Sequence, residues 1–328
     1  MPQRRKKRLF GAGLGAGLLG AVLLALRFAV RPVTKARVPD AISPAIFRTK
    51  ALHTSLGQVV YHESGSGPTL MFIHGVCPGA SSYEWSKVYP QFTGTHRVLA
   101  PDLIGFGESA RPDASLSATD YSKSMAEFIR GTCDEAVTLV ASGLGAGLSV
   151  LMATQHPEVV KQLLLWMPTG LTELGAREIS LSRRLASMAP VAHRFIYRNY
   201  ESTRAAVRGA LALHGFADAS RITDETTDVY TTCAQQYGAE HAIRNLHAGR
   251  LNVDLEGRLP LVSQPVTLLW PEQTGAAQAE LPTRLQGLAR GSRLRIGPRL
   301  SHLAGIEGAA EIAALLAEEL DPGPKVVR

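Results

Sequence analysis

Three short stretches hold the residues best suited to bond-making chemistry. Ala141-Ser142-Gly143-Leu144-Gly145 sets a serine among small residues, Ile73-His74-Gly75 ends an apolar run in a histidine, and Ser301-His302-Leu303 places another histidine ahead of Glu307. A hydroxyl, an imidazole and a carboxylate are the groups of nucleophilic acyl transfer: the ring takes the proton as oxygen attacks, and the acid orients the ring. Other chemistries find less support. Cys77, Cys133 and Cys233 are odd in number and widely spaced, with no C-x-x-C pair, so neither a zinc site nor a disulfide framework is suggested. There is no P-loop, no metal-ligand cluster and no G-x-G-x-x-G after a first strand, and the alternating Gly143, Gly145 and Gly147 alone are weak evidence for phosphate binding. No metal and no cofactor is implied.

These stretches must be positioned by a larger frame. Short apolar runs at 59–62, 70–73, 98–100, 137–141, 163–166, 266–270 and 294–296 predict strands, several of them apolar on both faces, as in a buried and largely parallel sheet. Helix-like stretches at 83–92, 121–130, 144–155 and 309–320 alternate with them, which predicts an α/β fold with helices on both faces. From 171 to 261 the rhythm changes to amphipathic segments near 177–188, 203–213, 224–236 and 240–248, a helical insert that would cover the carboxyl ends of the strands.

Leu70-Met71-Phe72-Ile73-His74-Gly75, the Arg97 to Ser109 stretch with Pro101-Asp102-Leu103-Ile104-Gly105-Phe106-Gly107, and Ala136 to Gly147 together resemble the α/β-hydrolase fold superfamily, in its capped form. The resemblance runs from about Ser55 to Leu320 and implies a mostly parallel central sheet flanked by helices, a helical cap after the sixth strand, and a nucleophile elbow of G-x-S-x-G type. Aligned by its trailing glycine, the elbow's nucleophile position is Gly143, which has no side chain, and Ser142 stands one residue early, pointing away from the pocket. A register that makes Ser142 the nucleophile loses the final glycine. The resemblance also implies that Val76 and Leu144 supply oxyanion N–H groups, that His74 and Gly75 hold the oxyanion loop, and that His302 is the base. The usual acid position falls on Thr274, which cannot carry charge, leaving Glu272 or Glu173 as substitutes. Cys77, in the oxyanion loop, is read as a packing residue rather than a displaced nucleophile.

Charge locates the chain rather than naming a partner. Thirty-five Lys and Arg against 28 Asp and Glu give +7, but residues 1–37 hold nine bases and no acid, leaving 26 bases against 28 acids in the remainder, a balance of −2 that offers nothing to nucleic acid. Arg4 to Arg8 precede an uncharged run from Leu9 to Leu26 that continues past Arg27 to Val30, long enough for a helix to span a bilayer. The expectation is a basic leader (1–8), a retained single-pass anchor (9–30), a linker (31–50), a core (51–170 and 262–322), a cap (171–261) and a tail (323–328), with the body on the non-cytoplasmic side. The alternative is export after signal cleavage. Gly11/Gly15 and Gly13/Gly17 have the spacing that lets two such helices pair as a homodimer.

Two functions fit these residues. The first is a protein that binds a small apolar carbonyl ligand under the cap, noncatalytic or weakly active because serine and acid are missing. The second is a hydrolase of a small ester-like substrate that uses His302 as general base, or Ser142 in an altered elbow.

Overall fold

The computed structural model describes residues 42–171, 179–272 and 280–320. The expected leader, the anchor, most of the linker, the tail, Glu173 and Thr274 lie outside the described residues. Among the described residues no helix is long and apolar enough to cross a membrane.

Eight strands form one sheet: β1 (Arg48–Thr54), β2 (Gly57–Ser64), β3 (Thr69–Ile73), β4 (Arg97–Pro101), β5 (Val137–Ser142), β6 (Val160–Trp166), β7 (Val266–Pro271) and β8 (Arg293–Gly297), in the order β1-β2-β4-β3-β5-β6-β7-β8. The first two are joined antiparallel, β2 runs antiparallel to β4, and every later pairing is parallel. Seven of these strands lie on the expected apolar runs. The eighth, β1, carries no such run because it is a largely exposed edge, and Arg48 and Lys50 put charge where an unpaired edge needs it. It begins inside the stretch expected as linker.

Alternation along the strands divides the core into two layers. Met71 and Ile73, Leu139 and Ala141, Leu163 and Leu165, and Leu268 and Trp270 face one side, while Leu70, Phe72, Val140, Leu164, Trp166 and Leu269 face the other. On the first side lie α1 (Ala118–Thr132) and α2 (Gly143–Gln155), packed on each other. Ser117 caps α1 by accepting from the Asp120 N–H while the Asp120 carboxylate accepts from the Ser117 N–H, which satisfies both ends of the first turn. Each fully buried Leu, Phe or Met in these layers contributes about 1.5–3 kcal/mol relative to exposure.

The helix expected over 83–92 is instead two 3₁₀ turns, Ser82–Trp85 and Tyr89–Phe92. Pro90 has no N–H to continue a helical ladder. Tertiary bonds hold the first turn: the Ser82 N–H donates to Asp102 Oδ1 at 2.7 Å, and the Trp85 indole donates to the Ile73 carbonyl at 3.0 Å.

Between β6 and β7 the chain is helical: α3 (Leu181–Ser187), α4 (Pro190–Ile196), α5 (Arg204–Ala210), α6 (Asp224–Ala234), α7 (Ala239–His247) and the single turn α8 (Leu255–Arg258). Buried Glu240 on α7 forms an ion pair with Arg194 of α4 at 3.0 Å and accepts from Arg198 at 2.8 Å, closing the insert on itself. Its apolar face, with Val207, Leu211, Phe216, Val229 and Tyr230, packs on Tyr83 after β3 and on Leu303 and Ile306 after β8. The insert therefore sits over the carboxyl ends of the parallel strands. After β7 come α9 (Glu280–Leu288), then β8, a short α10 (Ala304–Glu307) and α11 (Ala309–Leu320), which buries Ile312 and Leu316 against the second layer.

Candidate active site beneath the helical insert

Fully buried β5 ends at Ser142, and the chain turns directly into α2. The turn is made at Gly143, whose φ of +50° is a left-handed conformation that L side chains seldom adopt. Gly145 is required one step later, because a Cβ there would stand 2.2 Å from the His74 carbonyl oxygen. These two glycines let the first turn of α2 lie against the end of β3, with the early N–H groups of α2 left without intrahelical acceptors.

His302 is brought to the same place from the other end of the chain. Among the described residues, and apart from its own turn of chain, a Cβ built on Gly143 would have His302 Nδ1 as its neighbour within 4 Å, at 3.9 Å. The loop that carries His302 is held on both sides of the ring. The Trp166 indole donates to the Ser301 carbonyl at 2.9 Å, the Ser301 N–H donates to Glu307 Oε2 at 2.8 Å, and the Leu303 N–H donates to the Gly215 carbonyl at 2.9 Å. Glu307 Oε1 also accepts from the Ala217 and Asp218 amides, each at 2.8 Å, so one buried carboxylate ties the histidine loop to the insert. The Ser301 hydroxyl adds a bond to the His214 carbonyl.

Ser142 does not join this pair. Its hydroxyl is buried and donates to Glu84 Oε1, while Glu84 Oε2 accepts from the Gly75 N–H at 2.8 Å. Glu84 was not among the residues expected to matter. Its only mark in sequence is an acid between Tyr83 and Trp85, in a stretch expected as an ordinary amphipathic helix. Burial pushes its carboxyl up to about 7, against the lowering effect of the bonds from Ser142 and Gly75. Glu84 therefore braces the elbow and the loop after β3 from below, and Ser142 is part of that brace.

His74 is fully buried in the loop after β3 and bridges to the loop after β4. Its Nε2 accepts from the Leu103 N–H at 3.0 Å, so Nδ1 carries the proton and donates to the Gly75 carbonyl at 2.6 Å. Burial lowers its pKa, opposed by Asp102 and the Gly75 carbonyl, which keeps the ring neutral in this bridging role. Val76 is half-buried beside it and Leu144 is buried at the start of α2. Cys77, next in the loop, has its thiol pushed up to about 12 by burial and by nearby Glu84, so it stays protonated and unreactive. Of the candidate acids, Glu272 is exposed beyond β7, and its N–H donates to the Gly297 carbonyl.

The arrangement offers an imidazole, helix-start amides and an apolar roof around a backbone elbow, which is equipment for holding a polarised carbonyl group. A model of the α/β hydrolase fold family matches residues 68–192, the segment that contains the His74 loop, the Asp102 turn and the elbow. The chain is 35% identical over 113 residues to a 2-hydroxymuconate semialdehyde hydrolase of a Pseudomonas species, a match that covers 34% of this chain and 40% of that protein. The matches span only 34% to 41% of the length of such curated relatives. Among solved structures, a serine hydrolase involved in carbazole degradation superposes with a TM-score of 0.69 at 22% identity, over 84% of this chain and all of that one. A membrane phospholipase A superposes with a TM-score of 0.67 at 21% identity, over 98% of this chain and 99% of that one. Sheet order, elbow, helical insert and these likenesses agree: residues 68–192 match the α/β hydrolase fold family, and the chain has the α/β-hydrolase fold.

Proposed function

We propose that this chain is a membrane-anchored α/β-hydrolase-fold protein that binds a small apolar carbonyl compound beneath the insert without forming a covalent acyl intermediate. One observation carries the reading: the apex of the elbow is Gly143, and among the described residues the space a nucleophilic side chain would fill there is bordered by His302 Nδ1 at 3.9 Å. Ser142 offers no replacement, since its hydroxyl is committed to Glu84. A bound carbonyl oxygen would accept from the Val76 and Leu144 amides while the insert encloses its apolar part. A carbonyl ligand also suits the likeness to a semialdehyde hydrolase. The anchor rests on the apolar run of residues 9–30 behind five consecutive bases.

The same space supports a second reading, in which a water replaces the serine. His302 would take one proton from that water, the hydroxide would add to the carbonyl carbon, and the imidazolium would return the proton to the leaving oxygen. Without a covalent step, turnover would fall several orders of magnitude below that of an intact triad.

The two readings separate in one assay. The full-length protein in detergent is given short-chain activated esters, beside its His302→Ala variant. Binding without turnover predicts that both hydrolyse at the background rate; turnover lost in His302→Ala would establish the water route instead. For the anchor, the protein should stay with the membrane pellet after an alkaline wash, and release into the supernatant would refute it.

A further inference from the structure

We propose that His62, Asp102 and Glu108 form a binding site for a divalent first-row transition cation of the Zn²⁺ type, which braces the loop after β4 against β2. His62 is distant in sequence from Asp102 and Glu108, which share one loop, so only the fold brings the histidine to the two carboxylates. His62 stands on β2, Asp102 follows β4, and Glu108 lies on the glycine turn that comes after it.

His62 is the observation that calls for a ligand. It is 2% exposed, yet its Nε2 has no hydrogen-bond partner, which is costly for a buried ring nitrogen. The nearest opposite group is Glu108 Oε2 at 3.9 Å, beyond hydrogen-bond reach. Each of the three residues offers a donor atom, and these atoms all lie within 4.8 Å of one another. Zn²⁺ bound at about 2.0–2.2 Å holds tetrahedral nitrogen and oxygen ligands roughly 3.4 Å apart. The His62–Glu108 pair, at 3.9 Å, would need to close by about 0.5 Å and the widest pair by at most about 1.4 Å, a movement open to the surface side chain of Glu108.

The surroundings are arranged as outer partners of a metal site. His62 Nδ1 lies 3.0 Å from Thr49 Oγ1; with that nitrogen donating, Nε2 keeps its lone pair for the cation. The Asp102 carboxylate is fixed by the Ser82 and Glu108 amides, each at 2.7 Å, and each oxygen retains a second lone pair. The Arg111 guanidinium lies within electrostatic reach of both Asp102 and Glu108. Imidazole with two carboxylates suits Zn²⁺ and its neighbours, with a fourth position for water. Because the Leu103 N–H donates to His74, a cation here would stiffen the loop that supports the candidate oxyanion amides.

The test uses the full-length protein in detergent, stripped with a chelator and titrated with Zn²⁺ against a chromogenic competitor. One equivalent should bind and raise the melting temperature. His62→Gln and Glu108→Gln should each weaken uptake about 100-fold or more, and Thr49→Val roughly 10-fold through the ring's orientation. Glu108 lies at the surface, so its variant decides the matter even if a change at buried His62 prevents folding. Absence of saturable uptake in the wild type, or unchanged affinity in Glu108→Gln, would overturn the proposal.

Discussion

His302 Nδ1 lies 3.9 Å from the point that a Cβ on Gly143 would occupy, while the serine next door turns its hydroxyl down to Glu84. The imidazole is thus aimed at a backbone position, and three expectations follow from the way the elbow around it is held, with a fourth from the insert.

Gly143→Ser should place a hydroxyl within reach of His302. The φ of +50° makes this substitution strained by about 1–2 kcal/mol, a tolerable loss for a domain of this size. The variant should react with a fluorophosphonate probe and hydrolyse activated esters faster than the wild type, and a second change, His302→Ala, should cancel the gain.

Ser142→Ala should act on stability and leave chemistry untouched. Removing the hydroxyl deprives the buried Glu84 carboxyl of one of its two partners, which costs about 1–3 kcal/mol. Urea denaturation reads the loss. Any ester turnover abolished by this change alone would show that Ser142 leaves Glu84 and attacks.

Glu84 should make the protein less stable as pH rises through the weakly acidic range. Its carboxyl titrates at about 7 in the fold against 4.5 ordinarily, so the native state holds a proton that the unfolded chain has released. Stability is complete below 4.5, falls between 4.5 and 7 by about 3 kcal/mol at most, and is level above. Glu84→Gln should flatten that part of a stability profile measured by urea denaturation.

The insert should show the opposite slope. His193 and His247 pair at 3.2 Å between Nε2 and Nδ1, and burial lowers their pKa values to about 3 and about 4. Both rings are neutral in the fold while the unfolded chain protonates near 6.5, so their contribution is present above 6.5 and is lost as pH falls towards 4. Each ring contributes about 1.4 kcal/mol per pH unit across that window. Amide exchange in α4 and α7 should rise steeply below pH 6 in the wild type and less steeply in His247→Gln.

Much of the frame was legible because its signals are local. Strand alternation and the insert's amphipathic segments were read from neighbouring residues, and so was the small-residue elbow, whose Gly145 is demanded by the nearby His74 carbonyl. Edge strand β1 was missed, since an exposed edge needs no apolar run. The 83–92 stretch was misread because tertiary bonds from Ser82 and Trp85, with Pro90, outweigh its helical pattern.

By itself the sequence determined the alternation that builds the sheet, the position of the insert and the absence of a side chain at residue 143. Only the tertiary structure decided that Ser142 serves Glu84, that His302 faces Gly143, and that His62 meets Asp102 and Glu108. Backbone periodicity is set by residues a few positions apart. A buried polar group, in contrast, takes whichever partner the fold carries to it, however distant along the chain.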